Sequence, residues 1–188
     1  MVMPKGYLCV MAAAGLVLVA AGGAAAAAPS AASQRFYVAA RGGGQKAGIY
    51  RGRLDLATGK VTVAGRAAEA THPSFLAVHP GGRYLYLANA LRQFRGQPGG
   101  ALSTYRIDAA SGGLVLLGQQ PSRGASTCHL TVDRTGRHLL AVNYGTGSVM
   151  ARAIGEDGRL GEATAFIAHR GHSVDPRRQK GPHAHSVH

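Results

Sequence analysis

Thr71-His72-Pro73-Ser74-Phe75-Leu76-Ala77-Val78-His79-Pro80-Gly81-Gly82-Arg83-Tyr84-Leu85-Tyr86-Leu87-Ala88-Asn89 is echoed further along the chain by Ala125-Ser126-Thr127-Cys128-His129-Leu130-Thr131-Val132-Asp133-Arg134-Thr135-Gly136-Arg137-His138-Leu139-Leu140-Ala141-Val142-Asn143. Laid side by side at an offset of 54 residues, the two stretches are identical at Leu76/Leu130, Val78/Val132, Gly82/Gly136, Arg83/Arg137, Leu85/Leu139 and Asn89/Asn143. A second correspondence, at an offset of 53, sets Leu54-Asp55-Leu56-Ala57-Thr58-Gly59 against Ile107-Asp108-Ala109-Ala110-Ser111-Gly112. Self-similarity at a fixed spacing marks a repeat architecture, in which each unit buries its faces against its neighbours.

Within the unit the hydrophobic period is that of strands. Arg83 to Ala88 and Arg137 to Val142 are short runs rich in aromatic and branched residues, apolar on both faces, as expected of strands packed between other sheets. His79-Pro80-Gly81-Gly82 and Asp133-Arg134-Thr135-Gly136 form tight turns ahead of them. Ala101 to Ile107 and Ser148 to Ile154 follow as third strands. Turns at Asp55 to Gly59, Asp108 to Gly112 and Gly155 to Gly158 lead into fourth strands at Val61 to Ala64, Leu114 to Leu117 and Thr164 to Ala168. A four-stranded antiparallel unit that must bury both faces is a β-propeller blade. The expectation is an all-β chain with blades near 35–70, 71–124 and 125–180 and the start of another at 181–188. That is about three blades, fewer than a closed ring of roughly 4 to 8 needs, so the chain reads as part of a larger propeller. Its open faces would be exposed apolar surface, and self-association of two such half-rings is the less favoured alternative.

Composition agrees with this reading. Of 188 residues, 46% are hydrophobic and 28 are Gly, which excludes a disordered chain and favours strands and turns. The formal charge of +13 comes from Arg residues scattered singly, apart from Arg177, Arg178 and Lys180, so a nucleic-acid stripe is not expected. Behind Lys5 lies a run that is apolar from Leu8 to Ala20, followed by small residues at Ala24 to Ala28, the pattern of an export leader over 1–28 with a flexible linker at 29–34. Cleavage would place the mature protein in the periplasm or outside the cell and leave it no membrane anchor. Of the two cysteines, Cys9 would leave with the leader and Cys128 would remain, unable to form an intrachain disulfide and suited to filling a buried gap.

Ser173-Val174-Asp175-Pro176-Arg177-Arg178-Gln179-Lys180-Gly181-Pro182-His183-Ala184-His185-Ser186-Val187 resembles the signature segment of the seven-bladed propeller lactonases of the 6-phosphogluconolactonase type. His72 to Pro80, Cys128 to Asp133 and Asn143 to Val149 are similar to that family's blade segments, and the likeness runs from about Phe36 to His188. The resemblance implies a seven-bladed propeller that hydrolyses a sugar δ-lactone at one end of its central channel. A carboxy-muconate cyclase shares this fold family, so a lyase is a further reading; a non-catalytic binding module or an inactive fragment is the other.

Five of the nine histidines, His169, His172, His183, His185 and His188, fall in the last twenty residues. Lactone opening needs a base for water, a donor or cation at the carbonyl oxygen and an acid for the departing ring oxygen, and His and Arg suit those tasks. His185 is expected to be the base or to position the water. Arg178 is expected on the carbonyl or a phosphate, His183 beside them, and His129 and Arg177 as substrate contacts. On an extended strand His183 and His185 would share one face, with His188 on the other. No cofactor is expected. His183, His185 and His188 could be read as metal ligands, but no helical His-Glu-x-x-His exists and only Asp175 offers a nearby carboxylate. Ser186 and Cys128 sit on no nucleophile turn. Asn89 and Asn143 recur at one position of the repeat, which points to a role in the blade rather than in catalysis.

Overall fold

The computed structural model describes residues 9–12, 16–20, 33–42 and 46–188, with side chains described from Ser33 onward. Three antiparallel sheets succeed one another along the chain, and each large strand pairs with its sequence neighbour. The first contains β1 (Cys9–Ala12), β2 (Leu16–Ala20), β3 (Ser33–Ala40), β4 (Gly48–Asp55) and β5 (Val61–Glu69). After it come β6 (Pro73–Val78) and β7 (Tyr84–Asn89), a small hairpin of β8 (Gln93–Phe94) and β9 (Gln97–Pro98), then β10 (Ala101–Ile107) and β11 (Leu114–Pro121). Strands β6, β7, β10 and β11 form the second sheet. The third is β12 (Thr127–Val132), β13 (His138–Asn143), β14 (Ser148–Ile154) and β15 (Leu160–Ala168). The architecture is therefore an open stack of about three propeller blades, all β among the described residues. No helix among them is long and apolar enough to cross a membrane.

The strand bounds show where periodicity is informative. Strands β10 and β14 fall where the pattern put them, whereas β5, β11 and β15 each run longer than the expected four or five residues. These outermost strands are largely exposed, so polar residues interrupt the apolar run without ending the ladder. By contrast, all six residues of β7 are buried, each large apolar side chain contributing roughly 1.5–3 kcal/mol. The hairpin β8–β9 was not anticipated. It occupies the link that makes the second blade longer than the third between its second and third strands.

Most of residues 1–32, where the leader was expected, lies outside the described residues. The two stretches that are described, β1 and β2, pair with each other, and β2 pairs with β3 from Val17 opposite Ala39 to Ala20 opposite Phe36. Strand β2 thus takes the place on the first sheet that β6 and β12 take on theirs, an edge any apolar stretch nearby can complete.

Adjacent blades are stitched by repeated polar contacts. The Tyr37 hydroxyl donates to the carbonyl of Gly112 at 2.9 Å, and the Tyr86 hydroxyl to that of Gly158 at 2.9 Å. Both acceptors lie in turns between a third and a fourth strand, and both glycines have positive φ, 71° and 78°, which side chains rarely adopt. Burial raises the pKa of both hydroxyls. His79 accepts from the Gly81 amide at Nδ1, so its Nε2 carries the hydrogen and donates to the carbonyl of Gly136 at 2.9 Å, tying the first turns of two blades together. Arg152, 2% exposed, donates to the carbonyls of Gly161 and Pro121 and so links β14 to the end of β11.

Asn89 and Asn143 are buried, Asn89 hydrogen-bonded inside its own blade and Asn143 both inside its own and to the last turn of the blade before it. Asn89 donates to the Thr71 carbonyl and accepts from Ser103; Asn143 donates to the Ser122 carbonyl and to Ser148, and accepts from Thr127.

Candidate active site

The pairing registers align the blades. Ala40 lies opposite Gly48, Asn89 opposite Ala101 and Asn143 opposite Ser148, so these three residues close the second strand of their respective blades. The next residue along the chain is Arg41 in the first blade, Ala90 in the second and Tyr144 in the third. All three converge on one cleft of about 290 Å³, completed by Ser126, Cys128 and His185. Arg41 also bounds a neighbouring cavity of about 220 Å³ that reaches Thr71, His72 and Pro73.

His185 reaches this cleft because the segment from Gly181 to His188 runs back over the third blade as irregular chain rather than as a paired strand. Two interactions hold it there. The Cys128 thiol lies 3.4 Å from the carbonyl oxygen of His185, and the His185 ring meets the Tyr144 ring edge-on, with centroids 5.7 Å apart. Among the described residues no hydrogen bond engages either ring nitrogen of His185, leaving the imidazole able to take a proton from water.

His183 differs. Its ring stacks on Tyr144 at 4.4 Å, its Nδ1 lies 2.9 Å from the Tyr144 carbonyl and its Nε2 lies 3.0 Å from the Arg178 carbonyl. Both nitrogens are committed to the backbone, so His183 anchors the loop that carries His185. The expectation that the two histidines share one face of an extended strand does not apply, because the segment is not a strand; both rings contact Tyr144, one stacked and one edge-on, while His188 turns to His129.

Neither arginine of the signature segment lines the cleft. The Arg178 amide donates to Asp175, and its carbonyl holds His183. The Arg177 side chain is 90% exposed and pairs with Asp175 at 3.7 Å. Asp175 and Gln179 organise this loop, Gln179 donating its amide to the Asp175 carbonyl and accepting the Asp175 amide on Oε1.

His129 is 7% exposed and lies against Phe75, its counterpart one blade earlier, with ring centroids 3.9 Å apart. It belongs to the packing between β6 and β12 rather than to the cleft lining. Burial, helped by the charges of His188 and His185, pushes its pKa down to about 4. The sign follows. The unfolded chain, with a histidine near 6.5, binds a proton that the folded protein refuses, so stability falls as pH drops from about 6.5 towards 4 and changes no further below that. On the order of 2 kcal/mol is expected to be lost over this window. His129→Phe should remove that component when urea midpoints are measured against pH; an unchanged pH profile would contradict the assignment.

Cys128 keeps its proton more firmly than an ordinary thiol, because burial outweighs the Arg41 charge that favours the thiolate. It fits the expected packing role better than that of a nucleophile. Among the described residues no three His, Cys, Asp or Glu side chains converge as metal ligands.

A succession of four-stranded antiparallel blades, with a histidine-bearing cleft beside the ends of their second strands, defines part of a β-propeller. The chain belongs to the family described as lactonase, seven-bladed β-propeller, whose model matches residues 35–188. It is 32% identical over 142 residues to a 6-phosphogluconolactonase of Bacillus subtilis, covering 76% of this chain and 39% of that protein. A 6-phosphogluconolactonase of Formosa agariphila is 25% identical over 139 residues, with 74% and 38% covered. Among solved structures, the periplasmic gluconolactonase of Pseudomonas aeruginosa superposes with a TM-score of 0.71 at 30% identity, covering 82% of this chain and 44% of that one. The chain thus spans less than half the length of each of these relatives.

Proposed function

We propose that the protein is a lactone hydrolase acting on a sugar δ-lactone, in the manner of the 6-phosphogluconolactonases it resembles. The observation that carries this reading is the His185 imidazole, held in the cleft by its own backbone and by Tyr144 while its ring nitrogens stay unbonded among the described residues. Water attacks the lactone carbonyl as His185 takes one of its protons; the ring C–O bond then breaks as His185 returns that proton to the ring oxygen, and the carboxylic acid formed releases its own proton to solvent, leaving an aldonate. His183 positions this histidine through the loop it fastens. Arg178 contributes its carbonyl to that fastening, and its guanidinium reaches the carbonyl or a phosphate only if the loop moves on substrate binding. The apolar run after Lys5 acts as an export leader, so turnover takes place in the periplasm or outside the cell. There an unphosphorylated sugar lactone is the more accessible substrate.

The test is proton release from glucono-δ-lactone and from its 6-phosphate ester, measured above the spontaneous rate with the protein as its own cells make it. Acceleration of either supports the reading. Binding of the lactones without any acceleration would overturn it in favour of a binding module.

A further inference from the structure

Arg41 was not singled out by sequence, yet it is the one charged residue among the three equivalent positions that meet at the cleft, the others being Ala90 and Tyr144. Its guanidinium donates from Nε to the Pro73 carbonyl at 3.1 Å, and this is its only hydrogen bond among the described residues. The described ion pairs join Arg66 to Glu69, Arg159 to Asp157 and Arg177 to Asp175, so no described carboxylate neutralises Arg41. No acidic residue lines either cavity. A cation fixed through Nε, its two terminal nitrogens unused and no counter-charge beside it among the described residues, is arranged to grip an anionic oxygen group with two parallel hydrogen bonds. Its location adds to this. The cavity on one side of the guanidinium holds His185 and the other runs to Thr71 and His72, and together they approach the size of a sugar-sized ligand site.

We infer that Arg41 is a specificity-determining residue that holds the anionic group of the ligand, with the lactone carbonyl beside His185 and the charged group at the junction of the two cavities. The inference rests on the lactonase reading for the identity of the ligand, and on the cleft geometry alone for its charge. The anionic oxygens could belong to a phosphate carried by the substrate or to the carboxylate that ring opening creates. The net charge of +13 attracts either anion to the protein.

The experiment compares Arg41→Gln and Arg41→Lys with the unaltered protein as cells make it. If Arg41 holds a phosphate, Arg41→Gln should raise KM for the 6-phosphate ester of glucono-δ-lactone about tenfold or more, with kcat and the KM for glucono-δ-lactone little changed. If it holds the carboxylate, the same variant should weaken inhibition by gluconate about tenfold and leave both KM values alone. In either case Arg41→Lys should recover part of the loss, which a packing defect would not do. KM values and gluconate inhibition within twofold of the unaltered protein would overturn the inference while leaving the lactonase reading intact. If the unaltered protein turns over neither lactone, the lactonase reading fails, and Arg41 is judged by equilibrium binding of 6-phosphogluconate and gluconate. Loss of binding in Arg41→Gln then supports it, and equal binding, or none by either protein, overturns it.

Discussion

Replacing His185 by alanine is expected to lower kcat/KM for lactone opening by about 100-fold or more, the usual contribution of a positioned general base. The imidazole carries little of the structural load. Its ring contacts Tyr144 only edge-on, and the hydrogen bond from Cys128 goes to its backbone carbonyl, which alanine keeps. The melting temperature should therefore hardly move. His183→Ala makes the contrast. It removes two ring contacts to backbone carbonyls and a stacked ring from Tyr144, so it should loosen the loop and raise KM as well as lower kcat. Proton-release kinetics on both variants separate the two roles. Near-full turnover by His185→Ala would remove it from the chemistry.

The largest effect on stability is expected from Asn143→Ala, at about 3 kcal/mol, since three buried partners would lose their hydrogen bonds to it with no water to replace them. Asn143 is fully buried, and its amide joins the Ser122 carbonyl, Ser148 and Thr127 at 2.8 to 3.1 Å. These groups belong to the last turn of the second blade and to the first and third strands of the third, so one side chain holds three separate stretches together. The surroundings are tight as well, for a Cβ added at Gly124 would lie 2.5 Å from the Asn143 amide nitrogen. Total stabilities of domains are about 5–15 kcal/mol, so the loss would be a large share and visible in urea midpoints. Asn89→Ala, with one side-chain partner and one carbonyl, should cost less. A shift below about 0.5 kcal/mol for Asn143→Ala would show that the network is not cooperative.

The blades could be read from sequence because their inner strands are buried on both faces, which leaves continuous apolar runs and conserves turn chemistry within the repeat. The outer strands could not be bounded, because their exposure lets charged residues such as Arg66 sit within the ladder, where periodicity alone would end the strand. The site divided in a similar way. His185 and His183 were prominent as a cluster, yet their separate duties depend on which ring nitrogens meet a carbonyl, and no spacing encodes that. Arg177 and Arg178 were attractive for their charge, but the loop built by Asp175 and Gln179 turns one to solvent and uses the carbonyl of the other. Arg41 stands in a Gly-rich stretch with no motif around it. The repeat offset of 53 or 54 residues leads from Asn89 back to Arg35 or Phe36, not to Ala40, because the links between second and third strands differ in length; only the strand pairing shows that Arg41 follows the residue equivalent to Asn89 and Asn143.

The tyrosine contacts between blades have a direction. Tyr37 belongs to the first blade and needs Gly112 of the second; Tyr86 belongs to the second and needs Gly158 of the third. A buried hydroxyl without its acceptor is costly, so each blade stays incompletely satisfied until its successor has formed its last turn. During synthesis, where segments emerge in order, the structure would harden one blade behind the ribosome. Leu140, with no hydroxyl, stands at the equivalent position of the third blade. The zipper of tyrosines therefore stops there, and whatever packs against the third blade must be secured by other means.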